Sequence, residues 1–234
     1  MIGGMIWPPV NGRVVLHRAL GEPVRLRRHA NGDWVGAAGS WHLHSPAAAR
    51  YGDIDEGRAA LVNWARLHAA SAHVISDERC VVLCADGGGR FRLWQILKAG
   101  RSLRDQFDDD LRSGPQATAK GLLGMTRAFL LAAERFATAG CWLPLNLRNV
   151  GAFPDGSCYL GAMPDPLRMR AAESRRPDAT LKLLTMQLQY ALPDLQAARV
   201  DALAALDTLI LGERGQSQDP THGFVRRLLA ATVG

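Results

Sequence analysis

The chain has 234 residues, of which 28 are lysine or arginine and 22 are aspartate or glutamate, so its formal net charge is +6. Hydrophobic residues make up 47% of it, which is enough to bury a core and excludes an intrinsically disordered chain. No apolar run reaches the ~20 residues of a membrane-spanning helix, and the first nine residues lack the basic start of a secretory signal, so we expect a cytoplasmic protein. The four cysteines form no CxxC pair, and we expect reduced thiols.

The first half of the chain has the pattern of a small antiparallel sheet with one helix. Short runs of strand-forming residues predict strands over residues 14–16, 24–26, 34–35 and 41–44. Asn31 and Gly32, which lie between the second and third of these strands, predict a tight hairpin turn. Asp53 and Asp55 precede apolar residues at helical spacing, which predicts a helix that ends near residue 72. Two further strands, over 79–85 and 91–97, flank a glycine-rich turn.

The second half is mainly helical. A short helix is predicted over residues 102–111, followed by a break at Gly114 and Pro115. Apolar residues recur at helical spacing over 118–138, and Gly140 has the place of a helix-ending residue. Three more helices are predicted over residues 178–192, 194–211 and 221–232, and two short strands over 143–150 and 157–161.

Three segments resemble protein kinases. Residues 91–105 are similar to the fifth strand, the hinge and the start of the next helix. Residues 142–150, Trp-Leu-Pro-Leu-Asn-Leu-Arg-Asn-Val, resemble the catalytic loop H-x-D-L-x-x-x-N-[IV], nearest to its D-L-N-x-x-N-I form in the lipopolysaccharide core (Kdo and heptose) kinases. Residues 153–160 resemble the hairpin before the D-F-G triplet. The resemblance implies an α+β, two-lobed protein-kinase-like fold, with a β-rich lobe containing one helix over 1–97 and a reduced, mainly helical lobe over 98–234.

The same resemblance indicates which catalytic groups are missing. Trp142 stands at the position of the loop histidine, and Pro144 stands at that of the aspartate that accepts the substrate proton. Ala162 and Met163 align with the first two residues of the D-F-G triplet, whose aspartate holds magnesium in the family. No lysine precedes Lys98, so the third-strand position within 41–44 has no ammonium group.

Two residues are candidates for a vestigial nucleotide site. Asn149 matches the asparagine of the loop, and Asp165 lies three residues after Ala162. His42 and His44 share one face of a strand but have no third ligand at metal-site spacing, so we expect no metal site. The acidic run at residues 108–110 is typical of a solvated helix end.

We therefore expect a catalytically inactive kinase-like protein without catalytic residues or a cofactor. It would act as a binding, scaffold or regulatory module of a bacterial assembly related to the envelope or secretion. We expect a protein partner, and neither nucleotide nor nucleic acid as a ligand.

Two alternatives stay open. One is a divergent small-molecule or lipopolysaccharide-sugar kinase in which Asp155 or Asp165 replaces the missing metal ligands. The other is an arginine-rich module that binds nucleic acid or makes peripheral contact with an anionic membrane through the arginines within 25–28 and 168–176.

Overall fold

A computed structural model describes residues 5–6, 25–76, 78–86, 88–139, 142–151, 157–163, 176–212 and 219–231. The described part is a mixed α+β structure, as predicted, with a seven-stranded sheet and six α-helices. It divides into two compact units. The first comprises described residues of Met1–Gly100, Thr138–Leu143 and Phe153–Ala172, and the second those of Arg101–Ala137, Pro144–Ala152 and Glu173–Gly234.

The first unit contains the sheet. Its strands are β1 (Met5–Ile6), β2 (Arg25–Arg28), β3 (Trp34–Ala38), β4 (Trp41–Ser45), β5 (Arg50–Tyr51), β6 (Arg79–Ala85) and β7 (Phe91–Lys98). They follow the order β1-β6-β7-β4-β3-β2, and β5 pairs with β7. All the pairs are antiparallel except β1 with β6. The predicted strands from 24–26 onward in this half are confirmed, the one at 14–16 lies outside the described residues, and β1 and β5 were not predicted.

Backbone hydrogen bonds close the loop that joins β2 to β3 in a hairpin. The His29 N–H donates to the Asp33 carbonyl oxygen at 2.8 Å, and the Gly32 N–H donates to the His29 carbonyl oxygen at 2.9 Å. Gly32 has a φ of 88°, a left-handed conformation that glycine adopts without a steric penalty. The predicted turn is therefore confirmed, as the centre of a longer loop.

The two faces of the sheet pack differently. One face presents a buried apolar cluster of Ala38, Leu43, Val82, Cys84, Trp94 and Ile96. Helix α1 (Ile54–Ala70) packs near the opposite face, where a Cβ on Gly57 would lie only 2.8 Å from Leu83 Cδ2. The helix begins as predicted, because the Asp53 carboxylate accepts hydrogen bonds from the N–H groups of Asp55 and Glu56.

The second unit is helical. Its helices are α2 (Leu103–Arg112), α3 (Pro115–Ala137), α4 (Pro177–Gln187), α5 (Leu192–Gly212) and α6 (Pro220–Ala231), with a 3₁₀ turn at Gln189–Ala191. Helix α3 packs against the other four and buries Leu122 and Phe129 completely. The five predicted helices are confirmed, although α3 begins three residues earlier than predicted and the 178–192 helix ends at Gln187. Gly140 lies outside the described residues.

The two strands predicted over 143–150 and 157–161 are wrong. Among their described residues and the neighbouring Gly151, the only pairings are single bridges, Ser102 with Gly151 and Ile75 with Tyr159. Leu143, Leu145 and Leu147 are buried and alternate with less buried residues, which imitates a strand. No neighbouring strand runs beside them in the described structure.

Within the described ranges, no helix combines the length and the apolar composition needed to cross a membrane. Cys80, Cys84 and Cys158 are free thiols, and Cys141 lies outside the described residues. Burial raises the pKa of the Cys84 thiol to about 12, which keeps it protonated and unreactive at neutral pH.

Candidate functional site

Residues 157–163, in the first unit, contain the first two positions aligned with the D-F-G triplet. The N–H groups of Cys158 and Tyr159 both donate to the Val74 carbonyl oxygen, at 2.9 and 2.8 Å. The guanidinium of Arg79 on β6 donates to the carbonyl oxygens of Tyr159 and Gly161, the latter at 2.7 Å. These bonds fix the segment to the sheet.

Gln95 on β7 holds the end of this segment. Its Nε2 donates to the Met163 carbonyl oxygen at 2.8 Å, and its Oε1 accepts from the Met163 N–H at 2.7 Å. Both side chains are 1% exposed. The Tyr159 hydroxyl donates to the Ala162 carbonyl oxygen at 2.9 Å. Ala162 and Met163 are thus held through their backbones, and neither side chain has the oxygen ligand that magnesium requires. Asp165 lies outside the described residues.

Arg79 is an unusual buried charge. It is 8% exposed, it lies 5.5 Å from the centroid of the Tyr159 ring, and no carboxylate among the described residues pairs with it. Burial lowers the pKa of Arg79 to about 10, so the guanidinium remains charged at neutral pH. Backbone carbonyl oxygens and an aromatic ring take the place of a counter-ion.

The third-strand position falls on β4, where His42 is exposed and His44 is partly buried. His44 Nε2 lies 3.6 Å from Asp33 Oδ2. Burial lowers the pKa of His44 and outweighs the attraction of Asp33, so this imidazole is neutral near pH 7. His44 therefore does not reproduce the positive charge that a lysine would place here. In the described part of the chain, no three His, Cys, Asp or Glu side chains are grouped to hold a metal ion.

The loop aligned with the kinase catalytic loop continues in the second unit from Pro144. Its backbone groups are bonded by a side chain: the Leu147 N–H donates to Gln187 Oε1 at 2.8 Å, and Gln187 Nε2 donates to the Leu145 carbonyl oxygen at 3.2 Å. The loop also joins α2, because the Leu103 N–H donates to the Val150 carbonyl oxygen at 2.7 Å. Pro144 and Trp142 are both partly exposed, and neither has a group that accepts a proton from a hydroxyl.

Two asparagines shape the end of this loop. Asn146 Oδ1 accepts from the N–H groups of Arg148 and Asn149, at 3.0 and 2.8 Å, in a side-chain-capped turn. The side chain of Asn149 has no hydrogen bond to a described residue. In kinases the loop asparagine holds magnesium together with the D-F-G aspartate. In the sequence resemblance, Asn149 matches this asparagine, whereas Ala162 aligns with the aspartate.

A polar cluster on the second unit was not predicted. The Tyr190 hydroxyl donates to Asp108 Oδ1 at 2.7 Å, and the Arg104 guanidinium stacks 3.7 Å from the Tyr190 ring centroid. Burial, and then the bond to Asp108, raise the pKa of Tyr190, so the phenol stays a hydrogen-bond donor. An open groove of about 550 Å³ beside it is lined in part by Asp108, Arg112 and Asp194.

Two of the three carboxylates in the acidic run at residues 108–110, which was predicted to be a solvated helix end, form ion pairs. Besides the contacts of Asp108, the carboxylate of Asp109 pairs with Arg101 and Arg112. Of the two predicted arginine clusters, the one at 25–28 forms exposed β2, whereas most of the 168–176 cluster lies outside the described residues.

No protein-family model matches the chain, and a comparison with curated proteins finds no match.

Proposed function

We propose that this chain is a kinase-like protein that does not transfer phosphate and that acts as a binding, scaffold or regulatory module for a protein partner. We place it in a bacterial cytoplasm, in an assembly related to the envelope or secretion. One observation carries the proposal. At the positions aligned with the D-F-G triplet, Ala162 offers only a methyl group, and Met163 is buried and bonded through both backbone groups by Gln95. A segment fixed in this way favours a structural role over metal coordination.

The chemistry of phosphoryl transfer supports this reading. The reaction depends on positioning and on charge stabilisation by metal ions and cations. Removing a single electrostatic contact from an active site typically lowers kcat by ~10²–10³-fold. In the proposed alignment Pro144 replaces the base, Ala162 replaces the metal ligand, and a neutral His44 lies on the strand of the missing lysine. We expect no phosphotransferase activity from a site that lacks all three groups.

Helix α5 has apolar side chains on its buried and on its exposed sides. Val200 and Leu211 on this helix are 75% and 76% exposed, while Leu195, Ala202 and Leu206 are buried. A helix that is apolar on several sides is typical of one packed on more than one side. Packing against a second surface, such as that of a protein partner, would cover Val200 and Leu211.

Thermal unfolding with Mg-ATP tests the proposal. A ligand present at about 100 times its Kd stabilises the folded state by about 2.7 kcal/mol. For a chain of this size such stabilisation would raise Tm by roughly 5–10 °C. We expect a shift of less than about 1 °C with Mg-ATP, and the same result when EDTA removes the magnesium.

A transfer assay with labelled ATP and candidate sugar and small-molecule acceptors tests the alternative, a divergent kinase. A Mg-ATP-dependent rise in Tm, with label transfer that is lost in Asp165→Asn, would overturn the proposal in favour of a divergent kinase. Asp178→Asn is the matched control, because Asp178 is an exposed carboxylate on α4. Its transfer activity should equal that of the unmodified protein.

A further inference from the structure

Strand β2, which we call the cationic strand, ends the sheet among the described residues. It consists of Arg25, Leu26, Arg27 and Arg28, and its only described neighbour is β3. The three arginines are exposed. A strand with one neighbour leaves about half of its backbone N–H and C=O groups directed away from the sheet. These groups can pair with another extended chain.

A groove of about 380 Å³ runs along this strand. The register places Arg25 opposite Ala37 and Arg27 opposite Val35, and His42 lies on the far side of Ala37. Val35, Gly36 and Ala37 line the groove together with Arg25, Arg27 and His42. The groove therefore combines an apolar floor with cationic and imidazole side chains.

The charge of the cationic strand is not neutralised by the described residues. No ion pair joins Arg25, Arg27 or Arg28 to any of them. The only acidic residue within 25–45 is Asp33, and its carboxylate already accepts from the Ala47 N–H at 2.8 Å and from Asn31 Nδ2 at 2.9 Å. Asp33 also lies 3.6 Å from His44 Nε2. Three guanidinium groups thus remain available to an anionic ligand.

We propose that the cationic strand binds an extended acidic segment of a partner protein, which adds to the sheet beside β2. The partner's backbone would pair with the outward N–H and C=O groups of β2, and its carboxylates with Arg25 and Arg27 at the groove. Its alternate, apolar side chains would lie on the opposite face of the sheet, beside Leu26. The inference rests on the proposed function, because it names the chemistry of that protein partner.

Other roles fit the same residues less well. Charged residues on an edge strand can simply prevent aggregation, but that role requires no groove with an apolar floor. A platform for single-stranded nucleic acid stacks successive bases on aromatic side chains, and His42 is the one aromatic residue among those that line this groove. Attraction to an anionic membrane needs only a basic surface, without outward strand groups or a groove.

Fluorescence anisotropy with a labelled peptide tests the inference. The probe is a peptide of about eight residues that alternates glutamate and valine, matching the length of a typical strand. Two further peptides separate its contributions: one replaces glutamate with lysine, and the other is N-methylated at every residue, so that neither of its edges has an N–H group for strand hydrogen bonds. Phosphatidylserine vesicles and a single-stranded oligonucleotide represent the other ligand classes.

The protein variants are Arg25→Gln with Arg27→Gln, and the matched control Arg58→Gln with Arg66→Gln on α1. Both double variants remove two exposed positive charges. We expect the glutamate–valine peptide to bind and the first double variant to raise its Kd about tenfold, at roughly threefold for each exposed charge pair. The control should change Kd by less than about twofold. The lysine and N-methylated peptides should not bind.

Three results would overturn the inference: no binding of the acidic peptide, equal loss in both double variants, or equal binding of the N-methylated peptide. Binding of vesicles or oligonucleotide alone, abolished in the Arg25 and Arg27 variant, would assign the strand to that ligand instead. The Mg-ATP experiment is independent of these residues, so failure of the peptide leaves the proposed function standing. Circular dichroism of each variant checks that it is folded. The N-methylated peptide is measured with the unmodified protein, so that result does not depend on the folding of a variant.

Discussion

Replacing Gln95 with methionine should release Met163 from strand β7. Methionine has a similar length and is unbranched, so it fits the space but offers neither an amide donor nor a strong acceptor. The substitution therefore leaves the N–H and C=O of Met163, both buried in the unmodified protein, without partners. A buried polar group without a partner costs about 1–3 kcal/mol.

For two such groups, and with some relaxation of the segment, we expect a loss of about 3 kcal/mol in the free energy of unfolding. This corresponds to a decrease in Tm of roughly 6–12 °C for a chain of this size. Hydrogen exchange supplies a local readout, because the Met163 amide should lose its protection while amides in α3 keep theirs.

Gln196→Met is the matched control, because Gln196 is exposed on α5. It should change Tm by less than about 2 °C. If Gln95→Met and this control unfold at the same temperature and the Met163 amide exchanges equally in both, Gln95 does not hold the segment and the structural role of residues 157–163 is refuted.

Two further predictions concern the second unit. The Ser102 hydroxyl lowers the pKa of Asp105 below its usual 3.8, and the ionised carboxylate caps α2. Its stabilising contribution is therefore complete above about pH 4 and is lost as the pH falls through the lowered pKa. Urea unfolding should show Asp105→Asn about 0.5–1 kcal/mol less stable at pH 7 and nearly equal to the unmodified protein near pH 2, whereas a gap that does not shrink with acid would contradict the cap. Tyr190→Phe should cost about 1 kcal/mol through the lost bond to Asp108 while preserving the stack on Arg104, and an unchanged urea midpoint would show that the bond contributes nothing.

The regular elements could largely be predicted because their signals are local. Asp53 and Ser102 mark helix starts by accepting backbone hydrogen bonds within the next turn. The two-residue strands β1 and β5 could not be predicted, because two residues have no measurable period. The strand predicted over residues 143–150 was wrong although its local pattern was clear. Its alternating leucines match the period of a strand, but Gln187 forms hydrogen bonds with backbone groups that a neighbouring strand would otherwise bind.

The contacts of the candidate site were harder to predict. Gln95 and Met163 are separated by 68 residues, and Tyr190 and Asp108 by 82. Nothing local in the sequence joins such pairs. One signal was present: a glutamine in the middle of an apolar strand must find a hydrogen-bond partner once it is buried. That signal indicates that a partner exists, without identifying it.

The most direct measurement is a crystal structure of the protein soaked with ATP and magnesium. We predict that Gln95 remains bonded to both backbone groups of Met163 and that no nucleotide is ordered near Asn149. An ordered triphosphate whose magnesium is bound by Asn149 or Asp165 would contradict a purely binding role.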